Sequence, residues 1–240
     1  MENFFTHPKT LLADEEYAKI MQPNTKTYQN QGVKTVRLCV TDNSYGNKKG
    51  NYSTVSQLGK RSPVSAISQE IKFLIGKESY SSSKVLLVGI GNPYMTTDSL
   101  GAKVVENIIS VRPTNLYLLT PMLEGITGIP SFDVIRAIVK SVKPKLVIVV
   151  DALATFSADR ICKSYQTSDA GITPGSALGK SLPLNKKTLG VKVIAIGTPT
   201  VIYSKQGDEY QNMLVTPKNI DELISNASIN IAKAILKALE

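Results

Sequence analysis

Hydrophobic and polar positions divide the chain into two unlike parts. From Lys84 onward, apolar runs alternate with amphipathic ones. KVLLVGI (84–90), KLVIVVDAL (145–153) and VKVIAIG (191–197) are continuous and rich in β-branched residues, the pattern of strands buried on both faces of a parallel sheet. LYLL (116–119) reads as a shorter strand. SLGAKVVENIISV (99–111) and PSFDVIRAIVKSV (130–142) carry apolar residues at helical spacing. The segment from Val215 to Glu240 predicts a long helix, with Thr216 as N-cap and Pro217 in the first turn. Strands alternating with helices imply right-handed βαβ units and helices on both faces of the sheet.

The first third is more polar. VKTVRLCV (33–40) reads as a strand and Ala66–Ile75 as a helix. Between them, residues 42–63 are rich in Gly, Asn, Ser and Lys and predict a long loop or wide hairpin. Residues 1–31 read as a loose arm with a short helix around Asp14–Met21. The whole is expected to be one α/β domain over 1–240: a three-layer αβα sandwich on a mostly parallel sheet, with residues 1–30 as an N-terminal arm.

Composition narrows the chemistry. The 240 residues contain one histidine, His7, and two cysteines, Cys39 and Cys162. A Ser-His-Asp or Cys-His pair lacks a base, and neither a zinc site nor a disulfide framework fits. No apolar run approaches the length of a membrane span, and the N-terminal stretch lacks the pattern of a secretory signal, so a cytoplasmic protein is expected. The 28 basic and 19 acidic residues leave a net charge of +9. It is dispersed, without the basic and aromatic interleaving of a nucleic-acid reader, so no direct nucleic-acid readout and no membrane partner is expected.

Catalysis must then run on carboxylates, lysines, hydroxyls or a borrowed cofactor. Ligands of open α/β sheets bind beyond the carboxyl ends of the strands. There the sequence delivers Asp98, one loop beyond strand 84–90, and Asp151, at the end of strand 145–150. Strand 191–197 delivers the small residues Gly197-Thr198-Pro199-Thr200, which leave room. Asp169 lies in TSDAGITPGSALG (167–179), a loop whose backbone can approach a ligand closely. The plain alternatives are a helix N-cap for Asp98 and a turn residue for Asp169. A carboxylate at the end of a fully apolar strand is harder to explain without a use. Gly89-Ile90-Gly91 begins a dinucleotide-type turn, but Tyr94 occupies the third glycine position. No cofactor and no metal is assigned.

VLLVGIGNPYMTTDSLGAKVVENI (85–108) resembles the hydrogenase maturation endopeptidases, and more closely the germination proteases of spore-forming bacteria. Residues 126–161, QTSDAGITPGSALGK (166–180), KTLGVKVIAIGTPTVI (187–202), NMLVTPKNIDELI (212–224) and KKGNYSTV (48–55) extend the second resemblance in colinear order over roughly 31–239.

The resemblance implies a hydrogenase-maturation-protease-like fold of the phosphorylase/hydrolase kind. It also implies an atypical aspartic endopeptidase that begins the degradation of small acid-soluble, DNA-binding spore proteins at germination. Asp98 and Asp151 fall on the proposed catalytic pair. Asp169, Gly91, Asn92, Gly171 and Ser176 are expected to support them, with backbone amides of 89–92 or 171–176 facing the oxyanion. The resemblance further implies a zymogen with a propeptide, a location in the forespore or spore core, and a homo-oligomer, a tetramer by family habit. Leu11 stands where an acidic residue precedes the family's processing cut, Thr97 where a proline is usual and Thr173 where a histidine is frequent. The alternatives are a related maturation-type protease, metal-dependent or not, and a diverged inactive paralogue with another substrate.

Overall fold

A computed structural model describes residues 25–41, 49–78, 80, 82–174, 182–206 and 209–240. The expected helix around Asp14–Met21, His7, Leu11 and Ser176 lie outside the described residues.

The described strands form one nine-stranded sheet. They are β1 (Thr25–Asn30), β2 (Val33–Val40), β3 (Gly50–Gln57), β4 (Val85–Gly89), β5 (Leu116–Leu119), β6 (Leu146–Thr155), β7 (Ser164–Ser168), β8 (Lys192–Gln206) and β9 (Glu209–Val215). Their order is β1-β2-β3-β7-β8-β6-β4-β5, with β9 also on β8. The helices are α1 (Val64–Ile75), α2 (Leu100–Ile109), α3 (Glu124–Thr127), α4 (Ser131–Val142), α5 (Lys186–Leu189) and α6 (Ile220–Leu239).

The sheet has two halves. β5, β4, β6 and β8 pair in parallel, as the apolar runs predict. β1, β2, β3 and β7 continue the sheet antiparallel from the other edge of β8. The expectation of a mostly parallel sheet therefore holds only for β5, β4, β6 and β8; β7 and β9 also follow Lys84 but pair antiparallel. Residues 25–30 are a strand rather than part of a loose arm, and 50–57 pair antiparallel with β2, the hairpin of the two alternatives expected there. β6 and β8 also run past their predicted ends.

Three layers follow from strand alternation. Val85, Leu87, Leu146, Ile148, Val150, Ile194 and Ile196 face α1, α2 and α6, which supply residues such as Ile71, Val104, Ile224 and Ile231. Leu86, Val88, Val147, Val149, Val193 and Ala195 face the other way, onto Phe132, Ile135 and Val139 of α4 and Leu189 of α5. Both faces of the parallel half are buried, which is why these strands carry no polar alternation.

Local signals set the ends. Asn185 and Thr188 form a reciprocal capping box on α5. Pro130 immediately precedes α4, and Lys143 closes it in the left-handed conformation. α6 begins at Ile220 after Asn219, later than expected. Thr216 does not cap it; its hydroxyl donates to the Thr200 carbonyl oxygen at 3.1 Å. In the antiparallel half, Glu70 of α1 is buried and receives Arg37 Nε at 2.6 Å, Arg37 Nη2 at 3.0 Å and Ser53 Oγ at 2.7 Å. The Arg37 guanidinium also lies over the Phe73 ring, 4.1 Å from its centroid. This cluster fastens α1 to β2 and β3.

Candidate active site

Close backbone packing positions the first aspartate. β4 ends at Gly89, and the Ile90 amide donates to the Val150 carbonyl of β6 at 2.8 Å. A Cβ on Gly89 would come within 2.2 Å of the Gly101 carbonyl oxygen, and one on Gly101 within 2.3 Å of the Ile90 oxygen. Two glycines thus let the start of α2 rest directly on the end of β4. The chain then turns at Gly91, with φ +115°, where a Cβ would meet the Asp98 carbonyl oxygen at 1.9 Å. Gly91 is required there on both counts.

The loop 91–98 closes on Asp98 itself. Its Oδ2 accepts the Asn92 amide at 2.7 Å, and Asn92 Oδ1 accepts the Tyr94 amide at 2.9 Å. Residues Thr96–Asp98 form a 3-10 turn, and α2 makes no side-chain cap bond at its start. The N-cap alternative for Asp98 is therefore replaced by a carboxylate turned back onto its own loop. Thr200 Oγ1 donates to the Thr97 carbonyl at 2.7 Å, tying this turn to β8. The segment 197–200, read as merely leaving room, also fastens the loop. Tyr94 and Met95 stand exposed on its outside.

Asp151 lies within β6, opposite Gly197 of β8, rather than at a strand end. It is 9% exposed. Its Oδ1 accepts the neighbouring Ala152 amide at 2.9 Å. Burial pushes its carboxyl up to about 8, the negative charge of Asp98 pushes the same way, and the Ala152 amide partly offsets them. Asp98 is also raised by burial, against the pull of the Asn92 amide. The Asp98 charge is felt at Asp151, so the two carboxyls resist joint ionisation.

The other expected residues are placed differently. Asp169 accepts the Asn51 amide on Oδ1 and the Asn51 side-chain amide on Oδ2, both at 2.7 Å, and its own amide donates to the Asn51 carbonyl at 3.2 Å. It staples the start of β3 to the loop after β7. Gly171, at φ +82°, leads into Ile172, whose amide donates to the Leu184 carbonyl at 3.1 Å. Of the backbone amides expected at an oxyanion, those of Ile90, Asn92 and Ile172 already have acceptors. Among the described residues, no group of three His, Cys, Asp or Glu is arranged to hold a metal ion, and no helix is long and apolar enough to cross a membrane.

Sequence reasoning passed over the row beside Asp151. Gln166 of β7 pairs with Gly197, which in turn pairs with Asp151. Gln166 lies in SYQTS, a buried strand too polar to register as one.

Known proteins match the chain in line with this geometry. A family model described as germination protease matches residues 6–206. A germination protease of Bacillus cereus is 37% identical over 216 residues, covering 78% of this chain and 58% of the relative. One from Bacillus thuringiensis is also 37% identical, and one from Bacillus anthracis is 36% identical over 217 residues. The chain thus spans 58% of the length of these curated relatives. Among solved structures, a nickel–iron hydrogenase maturation protease from Thermococcus kodakarensis aligns with 67% of this chain and 95% of its own, at 23% identity and a TM-score of 0.43. The family match covers both aspartates. With the glycine-built turn at Asp98 and the buried Asp151 inside its span, the chain belongs to the germination protease family.

Proposed function

We propose that the chain is an endopeptidase that opens the degradation of small acid-soluble, DNA-binding spore proteins, with Asp98 and Asp151 as its catalytic pair. The observation that carries this reading is the burial of Asp151 within electrostatic reach of Asp98, which raises the Asp151 carboxyl and, in this scheme, gives it the proton and leaves the charge on Asp98. Family membership supports a spore protease role, and the family resemblance points to the substrate. By the same resemblance the enzyme works as a homo-oligomer in the forespore or spore core, from a zymogen.

The pair divides the work by protonation state. Asp98, held by the Asn92 amide, takes a proton from water as the water oxygen bonds to the peptide carbonyl carbon. Asp151 donates a hydrogen bond to the carbonyl oxygen as negative charge develops there. Collapse of the tetrahedral carbon breaks the C–N bond, and a proton from the pair passes to the leaving amine. The products are a carboxylic acid and an amine, and the pair returns to one shared proton. No cofactor enters this scheme.

The test is cleavage of an intact small acid-soluble spore protein, with fragments read by mass spectrometry. Cut at one defined bond by the natural chain, and loss of the cut in both Asp98→Asn and Asp151→Asn with the fold retained, is the expected result. Undiminished cleavage in either variant would end the paired-aspartate reading. Absence of cleavage by the natural chain, with and without its first residues, would favour a diverged paralogue.

A further inference from the structure

Gln166 is 3% exposed, and among the described residues neither its Oε1 nor its Nε2 has a hydrogen-bond partner. A buried carboxamide with both its donor and its acceptor unmet is rare and calls for an explanation. Thr167 and Thr198 also bury unmet hydroxyls, but each is a single rotatable group.

Position distinguishes Gln166. The register runs Gln166–Gly197–Asp151 straight across β7, β8 and β6, so Gln166 and Asp151 project from the same face of the sheet. Two strand spacings separate their backbones by about 10 Å. An extended peptide advances about 3.3 Å per residue. A chain laid across this row with its scissile bond at Asp151 therefore brings a peptide unit within two or three residues to Gln166. A peptide unit offers one C=O and one N–H, the two partners that Nε2 and Oε1 lack. Both residues are buried, and the Leu153 side chain packs over Gly197 between them, so a polypeptide laid along this row displaces Leu153 to reach either.

We infer that the Gln166 carboxamide is a substrate anchor, hydrogen-bonding a main-chain peptide unit of the polypeptide two to three residues from the bond cleaved at Asp151. This rests on the endopeptidase reading above. Anchoring through the main chain gives affinity and register without selecting a side chain at that subsite.

The experiment separates the anchor from the catalytic pair. Fluorophore-labelled small acid-soluble spore protein is titrated against full-length Asp151→Asn protein and against the same protein carrying Gln166→Leu or Gln166→Met, and thermal unfolding of each is recorded. Because the native carboxamide has no partner among the described residues, both substitutions are expected to leave Tm unchanged or higher. Binding is expected to weaken about 10- to 100-fold, the loss of one or two hydrogen bonds. In the catalytically intact chain the same changes lower kcat/KM by that factor. Equal binding with and without Gln166 overturns the anchor and leaves the aspartate pair standing. A lower Tm in both variants makes Gln166 a structural residue and also overturns it. Retained cleavage in Asp151→Asn ends the catalytic reading while the binding comparison still decides the anchor. No binding by any form removes the substrate, and the anchor with it.

Discussion

Glu70 and Asp151 are both carboxylates buried against the same sheet, in opposite company. Glu70 meets a guanidinium on two nitrogens and a serine hydroxyl. Asp151 meets one backbone amide and, nearby, a second carboxylate. A buried charge that is matched on every side holds elements together, and its loss leaves the partner stranded. A buried acid that is left unmatched stays protonated and is ready to give its proton away. The first arrangement docks α1 onto the antiparallel half. The second sits where β6 passes the end of β4, and in the proposed mechanism its unmatched burial keeps the proton that the reaction uses.

The largest expected effect falls on activity. Asp98→Asn and Asp151→Asn are each expected to lower kcat at least about 1,000-fold, because the pair acts as a unit in every proton transfer. Single-turnover cleavage of a spore protein measures it. A loss under tenfold in either would put the chemistry elsewhere.

Next in size is the matched carboxylate. Glu70→Ala is expected to cost about 3 kcal/mol in urea unfolding at pH 7, since it strands Arg37 and Ser53 together. Activity per folded molecule should be kept. A cost below about 1 kcal/mol would mean that solvent already satisfies Arg37.

The unmatched carboxylate has the opposite sign. Its folded value lies near 8, above the ordinary 3.8, so the folded chain binds the extra proton. That contribution to stability is whole below about pH 4 and is lost as pH rises towards 8. Asp151→Asn cannot ionise, so its stability relative to the natural chain is expected to rise by roughly 5 kcal/mol between pH 4 and pH 8, the two being nearly equal at pH 4. Urea midpoints at the two pH values check this, and a destabilised Asp151→Asn at pH 8 would reverse the assignment. The same proton makes cleavage fall off above about pH 8.

Smallest is the fastening of the loop. Thr200→Val removes the hydroxyl that holds the Thr97 carbonyl. About 1 kcal/mol of stability is expected to go, with a several-fold drop in kcat/KM as Asp98 loosens. An unchanged kcat/KM would free Thr200 from any part in positioning Asp98.

The same contrast governs what could be read from the residues alone. The apolar strands β4, β5, β6 and β8 were legible because burial on both faces leaves a continuous hydrophobic run. β3 and β7 were not. Their buried Ser53, Thr54, Gln166 and Ser168 look like loop residues until the fold surrounds them. Asp98 and Asp151 stood out because a carboxylate next to an apolar strand conflicts with its surroundings. Which of them keeps the proton was not legible, since it depends on Asn92 reaching Asp98 and on how deeply β6 carries Asp151 past its predicted end. Asp169 resembled them in sequence, yet Asn51, 118 positions away, takes both its oxygens.

The most direct test of the shared proton is a carbon-13 NMR titration of the Asp151 carboxyl, in the natural chain and in Asp98→Asn. An apparent pKa near 8 is expected in the natural chain. It should fall in Asp98→Asn yet remain above the ordinary carboxylate value, because burial is the larger cause and the Asp98 charge the smaller. An ordinary value near 4 in both proteins would mean that Asp151 is charged at neutral pH and that the two aspartates share no proton.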